Sequence, residues 1–159
     1  MNYVTIEDFD RVWKIFEDNK EWFPHVRKFH IRNRLNWGQV ILQDGVLITH
    51  QKYLNFRKIG KDTNVRVEAG SYLIHQIINS EKGNGLATKV IKEYFNHVSS
   101  NVYLTVRADN ILANKFYEKV GMKHVGYINW SKGKMKGKVW KKALSSLAKE
   151  YTTIPYIDT

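Results

Sequence analysis

The segment of the chain best suited to binding an anion is 82–87, with the sequence Lys-Gly-Asn-Gly-Leu-Ala. It follows a stretch rich in β-branched and aromatic residues and precedes a helical repeat of apolar side chains, which predicts a strand, a glycine turn and a helix. The first N–H groups of a helix lack partners within it and carry partial positive charge. Glycines let the backbone approach a ligand closely, and Lys82 adds a full charge. The pattern predicts a cradle for pyrophosphate.

Two widespread phosphate motifs do not fit this turn. The Walker pattern needs a Gly-Lys-Ser/Thr sequence, and the dinucleotide fingerprint needs a third glycine and a downstream acid; the chain has none of these here. A two-glycine turn between strand and helix is also common in α/β proteins that bind no phosphate. The turn alone therefore does not identify a ligand.

Hydrophobic periodicity predicts the elements around the turn. The chain begins with a helix from Thr5 and Asp8, in which Phe9, Val12, Trp13 and Phe16 repeat, and with a second helix over 22–34 that turns Phe23, Val26 and Phe29 inward. A hairpin of 39–42 and 46–50 around Asp44-Gly45, a basic loop 55–64 and a long strand 65–78 follow. After the glycine turn come a helix over 87–98, a strand 102–106, a short helix 113–120 ended by Gly121, and a hairpin of 124–130 and 139–144. Two hairpins require antiparallel pairs, so we expect a mixed sheet flanked by helices.

The fold class expected from this order is α/β, of the α+β type, in a single domain spanning 1–159. With 43% apolar and 13% aromatic residues, the sequence can build a core, which excludes global disorder. The absence of cysteine excludes a disulfide scaffold, a thiolate nucleophile and Cys-ligated metals. His25 and His30 are five residues apart with no acids nearby, so we predict no metal site.

Positive charge is concentrated outside the N-terminal segment. The net charge is +11, yet residues 1–21 hold six acids and three bases. Much of the excess lies in 27–34, 52–61 and 132–142, and such clusters attract polyanions or merely keep a domain soluble. No apolar run reaches the roughly 18 residues of a membrane span, and the acidic N-terminus is unlike a signal peptide. We expect a cytoplasmic protein without a membrane partner, either a monomer or a homodimer.

Two segments in register resemble the motifs of the GCN5-related N-acetyltransferase (GNAT) superfamily. Residues 82–87 look like its Gln/Arg-x-x-Gly-x-Gly/Ala motif, with Lys82 in place of the first residue. Residues 110–122, Asn-Ile-Leu-Ala-Asn-Lys-Phe-Tyr-Glu-Lys-Val-Gly-Met, are similar to its Asn-x-x-Ala-x-x-Phe/Leu-Tyr-x-Lys-x-Gly-Phe segment, with Met122 in place of Phe. The resemblance covers 65–143, about half of the chain. Compared with the arginine that the motif allows, Lys82 keeps a charged hydrogen-bond donor but lacks the planar guanidinium group.

The resemblance implies an N-acetyltransferase with acetyl-CoA, or another acyl-CoA, as co-substrate and without a metal. It also implies a mostly antiparallel sheet of six to seven strands, splayed between the fourth and fifth so that pantetheine fits between them. The cofactor-binding residues that it implies are the main chain of Gln76, Ile77 and Ile78, the pyrophosphate loop Lys82, Gly83, Asn84, Gly85, Leu86, Ala87 and Thr88, and Asn110, Ala113, Phe116 and Tyr117 on the later motif.

Acyl transfer to an amine needs an acid that protonates the departing thiolate and a base that removes a proton from the ammonium group, so that the neutral amine can attack. Tyr117 stands where the family places the tyrosine that protonates the thiolate, although it also fits an apolar core stripe. For the base, Ser71 occupies the position where some members have glutamate. His75, with an ordinary pKa near 6.5, and Glu68 are the remaining candidates. A buried His75 without a catalytic role and deprotonation through water both stay open.

The acceptor has three interpretations. The basic clusters favour an amine carried on RNA, DNA or an acidic protein. A small amine or antibiotic-like acceptor would need a carboxylate, for which Asp44, Asp62, Glu68 and Asp109 are the candidates. The third interpretation is an inactive module of this fold that binds nucleic acid through aromatic stacking, with Trp22, Trp37, Trp130 and Tyr53 as candidate stacking residues.

Overall fold

The structure, a computed structural model, describes residues 1–81, 83 and 85–144. The helices in this part are a 3-10 turn Ile6–Asp8, α1 Phe9–Asp18, α2 Lys28–Asn36, α3 Leu86–Val98 and α4 Ile111–Lys119. The strands are β1 Val40–Gln43, β2 Val46–Lys52, β3 Arg57–Lys58, β4 Asp62–Thr63, β5 Arg66–Val67, β6 Tyr72–Asn79, β7 Val102–Arg107, β8 Lys123–Trp130 and β9 Met135–Lys142. None of the helices in these ranges combines the length and apolarity that crossing a membrane requires.

Seven strands form one sheet in the order β1-β2-β6-β7-β9-β8-β4, while β3 and β5 form a separate ribbon. Strand pairs β1–β2, β4–β8, β7–β9 and β8–β9 are antiparallel. The expectation of a mostly antiparallel sheet of six to seven strands with helices is therefore confirmed. The splay between the fourth and fifth strands stays a prediction.

The chain divides into two compact units. The first contains Met1–Gln51 and Ile74–Tyr94, and the second contains Lys52–Leu73 and the described residues from Phe95 onward. A single domain over 1–159 remains a prediction.

The first unit has a core between α1, α2 and the β1–β2 hairpin. The apolar repeat of α1 buries Val12 and Phe16, and α2 buries Ile31 and Leu35. Asp44 and Gly45 both have positive φ, +50° and +77°, which is the conformation of a two-residue turn that matches the strand twist. The predicted hairpin and first helix are thus confirmed.

The second helix was predicted to begin too early. It starts at Lys28, not at residue 22, and Phe29 is 55% exposed instead of facing inward. Pro24 disfavours helical geometry at Phe23, which leaves the segment before Lys28 in turns. With that start, the buried stripe passes through Ile31 and Leu35.

The long strand predicted over 65–78 is broken in two. It consists of β5 and β6, because Gly70 has a φ of +85° and its N–H donates to the carbonyl of Tyr53 at 2.7 Å. Glu68, a candidate base within the predicted strand, consequently lies in the break and not on a strand. The predicted loop 55–64 also contains two short strands, β3 and β4.

The second unit has its own core. It is formed by Tyr53, Ile59, Val67, Leu73, Tyr103, Ile128 and Val139, with Val65 and Trp130 packed against it. The closing hairpin was predicted, but β9 begins at Met135, four residues earlier than expected. Gly121, with a φ of +96°, follows the end of α4 as predicted.

Candidate active site

The glycine turn leads from β6 into α3 within the first unit. Gly83 and Gly85 have φ of +85° and +73°, and no described atom beyond their chain neighbours lies within 4 Å of a Cβ built on either. The first turn of α3 carries no acidic residue. The turn therefore presents open space and the positive end of a helix to solvent, as an anion site requires. Lys82 and Asn84, which we predicted to belong to this site, lie outside the described residues.

The start of the turn is held in place by the β1–β2 hairpin. Ser80 donates from its backbone N–H and from Oγ to the carbonyl of Gly45, at 2.9 and 2.6 Å. Lys89 on α3 forms an exposed ion pair with Asp44, 3.5 Å apart. These contacts position the entry to the turn and the first turns of the helix.

The strand before the turn has one main-chain N–H already engaged. The N–H of Gln76 donates to Thr49 Oγ1 at 3.1 Å, and this hydroxyl in turn donates to the side chain of Gln76. The main-chain N–H of Gln76 is therefore engaged within the chain, and main-chain pairing of Gln76 with pantetheine stays a prediction. The pairing of Ile77 and Ile78 with a ligand stays a prediction.

Helix α4 in the second unit is fixed by two asparagines. Asn110 caps it, because its Oδ1 accepts from the N–H of Ala113 at 3.2 Å. The buried Asn114 donates to the carbonyls of Arg107 and Asn110 and accepts from Trp140 Nε1 at 2.9 Å. The capping oxygen of Asn110 thus already accepts one hydrogen bond from the helix, and a contact of Asn110 with a cofactor stays a prediction.

Tyr117 lies on α4 with 8% of its surface exposed, packed edge-on against Phe116. Its hydroxyl forms no hydrogen bond with any residue that the structure describes. Burial raises the pKa of Tyr117 well above 10, so the phenol stays protonated at physiological pH. A protonated phenol can donate a proton to a ligand that reaches its hydroxyl.

Glu68 in the second unit is hydrogen-bonded to three side chains, of which Ser71 donates from Oγ to its Oε2 at 3.3 Å. Lys141 Nζ lies 2.7 Å from its Oε1, and the Tyr103 hydroxyl donates to its Oε2 at 2.5 Å. Burial alone would raise the pKa of Glu68, but the hydrogen bonds from Lys141 and Tyr103 outweigh it and lower the pKa to about 2. A carboxylate held so firmly in its charged form is a poor proton acceptor.

His75 in the first unit is half-buried, with Nε2 3.2 Å from Oε1 of Gln51. Burial, followed by the positive potential of Arg34 and His50, lowers the pKa of His75 to about 3. The imidazole is therefore neutral near pH 7, and its Nε2–H can donate to Gln51. Its low affinity for a proton makes it a weak base.

We expect this neutral histidine to make the protein sensitive to mild acid. The pKa of His75 is about 3 in the folded protein and 6.5 in the unfolded chain, so the unfolded chain takes up a proton first as the pH falls. His75 therefore contributes stability above pH 6.5, and this contribution is lost as the pH falls toward 3. The free energy of unfolding should drop by about 2 kcal/mol between pH 7 and about pH 5. Urea unfolding of the wild type and of His75→Gln measures this, and the variant should have the flatter profile. Glu68→Gln is the control, since its carboxylate titrates only below this range; an equal slope in wild type and His75→Gln contradicts the assignment.

A buried chain of rings near the site was not predicted. His50, 4% exposed on β2, has Nδ1 2.8 Å from the Tyr94 hydroxyl and Nε2 3.3 Å from the Tyr3 hydroxyl. The only signal in the sequence was a histidine ending an apolar run, 46–50. These contacts join β2, α3 and the N-terminal segment within the first unit.

The predicted residues fall into two groups. His75, Gln76–Ile78 and the described residues of 83–88 belong to the first unit, whereas Glu68, Asn110, Ala113, Phe116 and Tyr117 belong to the second. Among residues 1–81, 83 and 85–144, no group of three or more His, Asp or Glu side chains is arranged to hold a metal ion.

Comparison with solved structures identifies the fold, which is that of the GNAT acetyltransferases. NAA60 of Arabidopsis thaliana in complex with acetyl-CoA matches with a TM-score of 0.68 and 17% identity, over 89% of this chain and 97% of that chain. A GNAT-family acetyltransferase from Streptococcus agalactiae matches with a TM-score of 0.69 and 12% identity, over 88% and 92%. One from Bacillus cereus matches with a TM-score of 0.64 and 15% identity, over 91% and 96%. No protein-family model and no curated protein sequence matches the chain.

Proposed function

We propose that the protein is an acetyl-CoA-dependent N-acetyltransferase that transfers the acyl group to a primary amine by direct attack. The observation that carries the proposal is the open glycine turn at the start of α3, on a fold shared with an acetyl-CoA complex. The N–H groups of residues 83–88 would bind the pyrophosphate, together with Lys82 and Asn84. A CoA thioester supplies an activated acyl group, and the residues of the chain bind it and move protons.

Tyr117 is the proposed acid for the departing thiolate, since its phenol is protonated and makes no hydrogen bond among the described residues. For deprotonation of the amine, the low pKa values of Glu68 and His75 favour the water-mediated route over either side chain. Glu68 would then act by orienting Lys141 and Tyr103, and His75 by positioning Gln51.

The acceptor is proposed to be an amine carried on a polyanion. Arg27, Lys28 and Arg32 on and before α2 are all exposed, and the Arg32 guanidinium lies 4.5 Å from the centre of the Phe9 ring. Three of the four carboxylates available for a small cationic acceptor have cationic partners: Asp44 has Lys89, Glu68 has Lys141 and Asp109 has Arg107. A small amine is therefore the less favoured acceptor.

Thermal unfolding with acetyl-CoA tests the cofactor. Ligand at about 100 times its Kd should add about 2.7 kcal/mol to the free energy of unfolding and raise the midpoint by several degrees. Acetyl-pantetheine is the matched control, since it lacks the pyrophosphate and should give a much smaller shift. Release of CoA in the presence of amines then tests turnover. No shift at millimolar acetyl-CoA would mean that the turn is structural.

A further inference from the structure

One face of the β8–β9 hairpin in the second unit carries an exposed ring among lysines. Tyr127 is 45% exposed, and Lys136 Nζ lies 4.0 Å from the centre of its ring. In the pairing of the strands, Tyr127 lies opposite Lys138 and Asn129 opposite Lys136. Opposed residues, and residues two apart on a strand, share one side of a sheet, so these four side chains form one surface. We call it the Tyr127 face.

Helix α4 covers the same side of β9 only in part. Trp140, two residues after Lys138, is 5% exposed and donates to Asn114 of α4. Toward the other end of the strand, Lys136 is exposed. The face is therefore closed at Trp140 and open at Lys136, where a ligand can lie along the strand.

A cavity of about 440 Å³ opens beside this face. It lies between 62–65 and the β8 residues 125–127 and Asn129. Asp62, Asn64 and Asn129 are among the residues that line it, and their side chains make no hydrogen bond or ion pair with the part of the chain that the structure describes. Amides and a carboxylate of this kind suit the donor and acceptor edges of a nucleobase.

The segment that lines the cavity continues into a basic ribbon. Phe56 is 61% exposed, and the Arg66 guanidinium lies 5.7 Å from the centre of its ring. Arg66 on β5 pairs with Lys58 on β3. The exposed cations of this segment are Lys52, Arg57, Lys58, Lys61 and Arg66. Exposed aromatic rings beside cations thus occur at two places in the described residues of the second unit, on the Tyr127 face and on the ribbon.

We propose that the Tyr127 face, its cavity and the ribbon bind single-stranded nucleic acid. The phosphates would contact Lys136, Lys138 and the ribbon cations, while a base stacks on Tyr127. Asp62 repels phosphate but accepts from the exocyclic amine of a cytosine or an adenine. An acidic protein would also contact these lysines, but it would make no use of the Tyr127 ring or the cavity. A nucleic acid is therefore the favoured ligand.

This inference deepens the polyanion part of the proposed function, yet binding requires neither acetyl-CoA nor turnover, so the two can fail separately. The probe is a fluorescent oligocytidylate of about 12 nucleotides, measured by anisotropy between about 50 and about 200 mM salt. Tyr127→Leu should weaken binding about 10-fold. The double variant Lys136→Gln, Lys138→Gln should reduce the slope of log K against log salt by about 1.4.

The matched control is Lys115→Gln, Lys119→Gln on α4, which removes the same charge from two exposed positions and should leave affinity nearly unchanged. The proposal is overturned if wild-type protein does not bind at about 50 mM salt, or if both face variants behave like the control. It is also overturned if polyglutamate of equal charge, or duplex of equal length, competes as well as the unlabelled single strand. If Tyr127→Leu fails to fold, the salt slope of the lysine variant decides. An oligodeoxycytidylate distinguishes RNA from DNA as the strand bound.

Discussion

Replacing Tyr117 by phenylalanine is expected to lower kcat about 100-fold without destabilising the protein. The phenol is the proposed proton donor to the thiolate, and its raised pKa keeps it protonated throughout the physiological range. Removing its hydroxyl breaks no hydrogen bond within the part of the chain that the structure describes. The rate of CoA release with a reactive amine, together with the thermal midpoint, measures both effects.

The control for this variant is Glu118→Gln, the exposed neighbour on the same helix, which should retain full activity. The shift of the midpoint by acetyl-CoA should be the same in wild type and Tyr117→Phe, because the phenol is proposed to act on the leaving group and not to anchor the cofactor. Full kcat in Tyr117→Phe would make Tyr117 a core residue and remove it from the mechanism.

Introducing a carboxylate into the glycine turn should abolish cofactor binding. Gly85→Glu places a negative charge at the start of α3, where pyrophosphate is proposed to bind, on a residue whose φ of +73° an L side chain adopts only with strain. We expect the Kd of acetyl-CoA to rise at least about 100-fold, or about 2.7 kcal/mol. The thermal shift expected for the wild type should then disappear at the same ligand concentration.

Gly38 provides a control with nearly the same backbone. Its φ is +69°, and as at Gly85 no described atom lies within 4 Å of an added Cβ. Gly38→Glu therefore imposes similar strain and the same charge after α2, away from the turn into α3. It should bind acetyl-CoA like the wild type; equal losses in both variants would attribute the effect to strain and charge rather than to a binding site.

The elements with a strong local signal were predictable. The repeat of α3 and the Asp44-Gly45 turn each specify a structure within a few residues, so no distant contact was needed to find them. The errors arose at Pro24 and Gly70, where one residue's backbone restriction or freedom interrupts a continuous apolar pattern. An apolar pattern indicates which side chains are buried, but it does not indicate where the backbone changes direction.

The site was predictable as a motif but not as a network. The spacing of the turn and the later motif indicated the fold and Tyr117. Glu68, however, owes its low pKa to Lys141, which is 73 residues away in sequence. The pKa of His75 similarly depends on burial and on Arg34 and His50. The protonation states of Glu68 and His75 could therefore be assigned only from the tertiary structure, because they depend on which distant groups fold against each side chain.

The bonds from Ser80 to Gly45 have a consequence for the affinity of the glycine turn. Ser80 is fixed to the hairpin and Leu86 is helical, so the residues on both sides of the turn are anchored before an anion binds. Since ordering one residue costs about 1–2 kcal/mol, each anchored position removes a comparable penalty from binding. A Cβ at position 45 would come within 3.1 Å of the Glu81 side chain and 3.2 Å of Ser80 Oγ. How tightly the protein holds its ligand would thus be governed partly by a hairpin remote in sequence, and changes there could tune affinity while the binding residues stay the same.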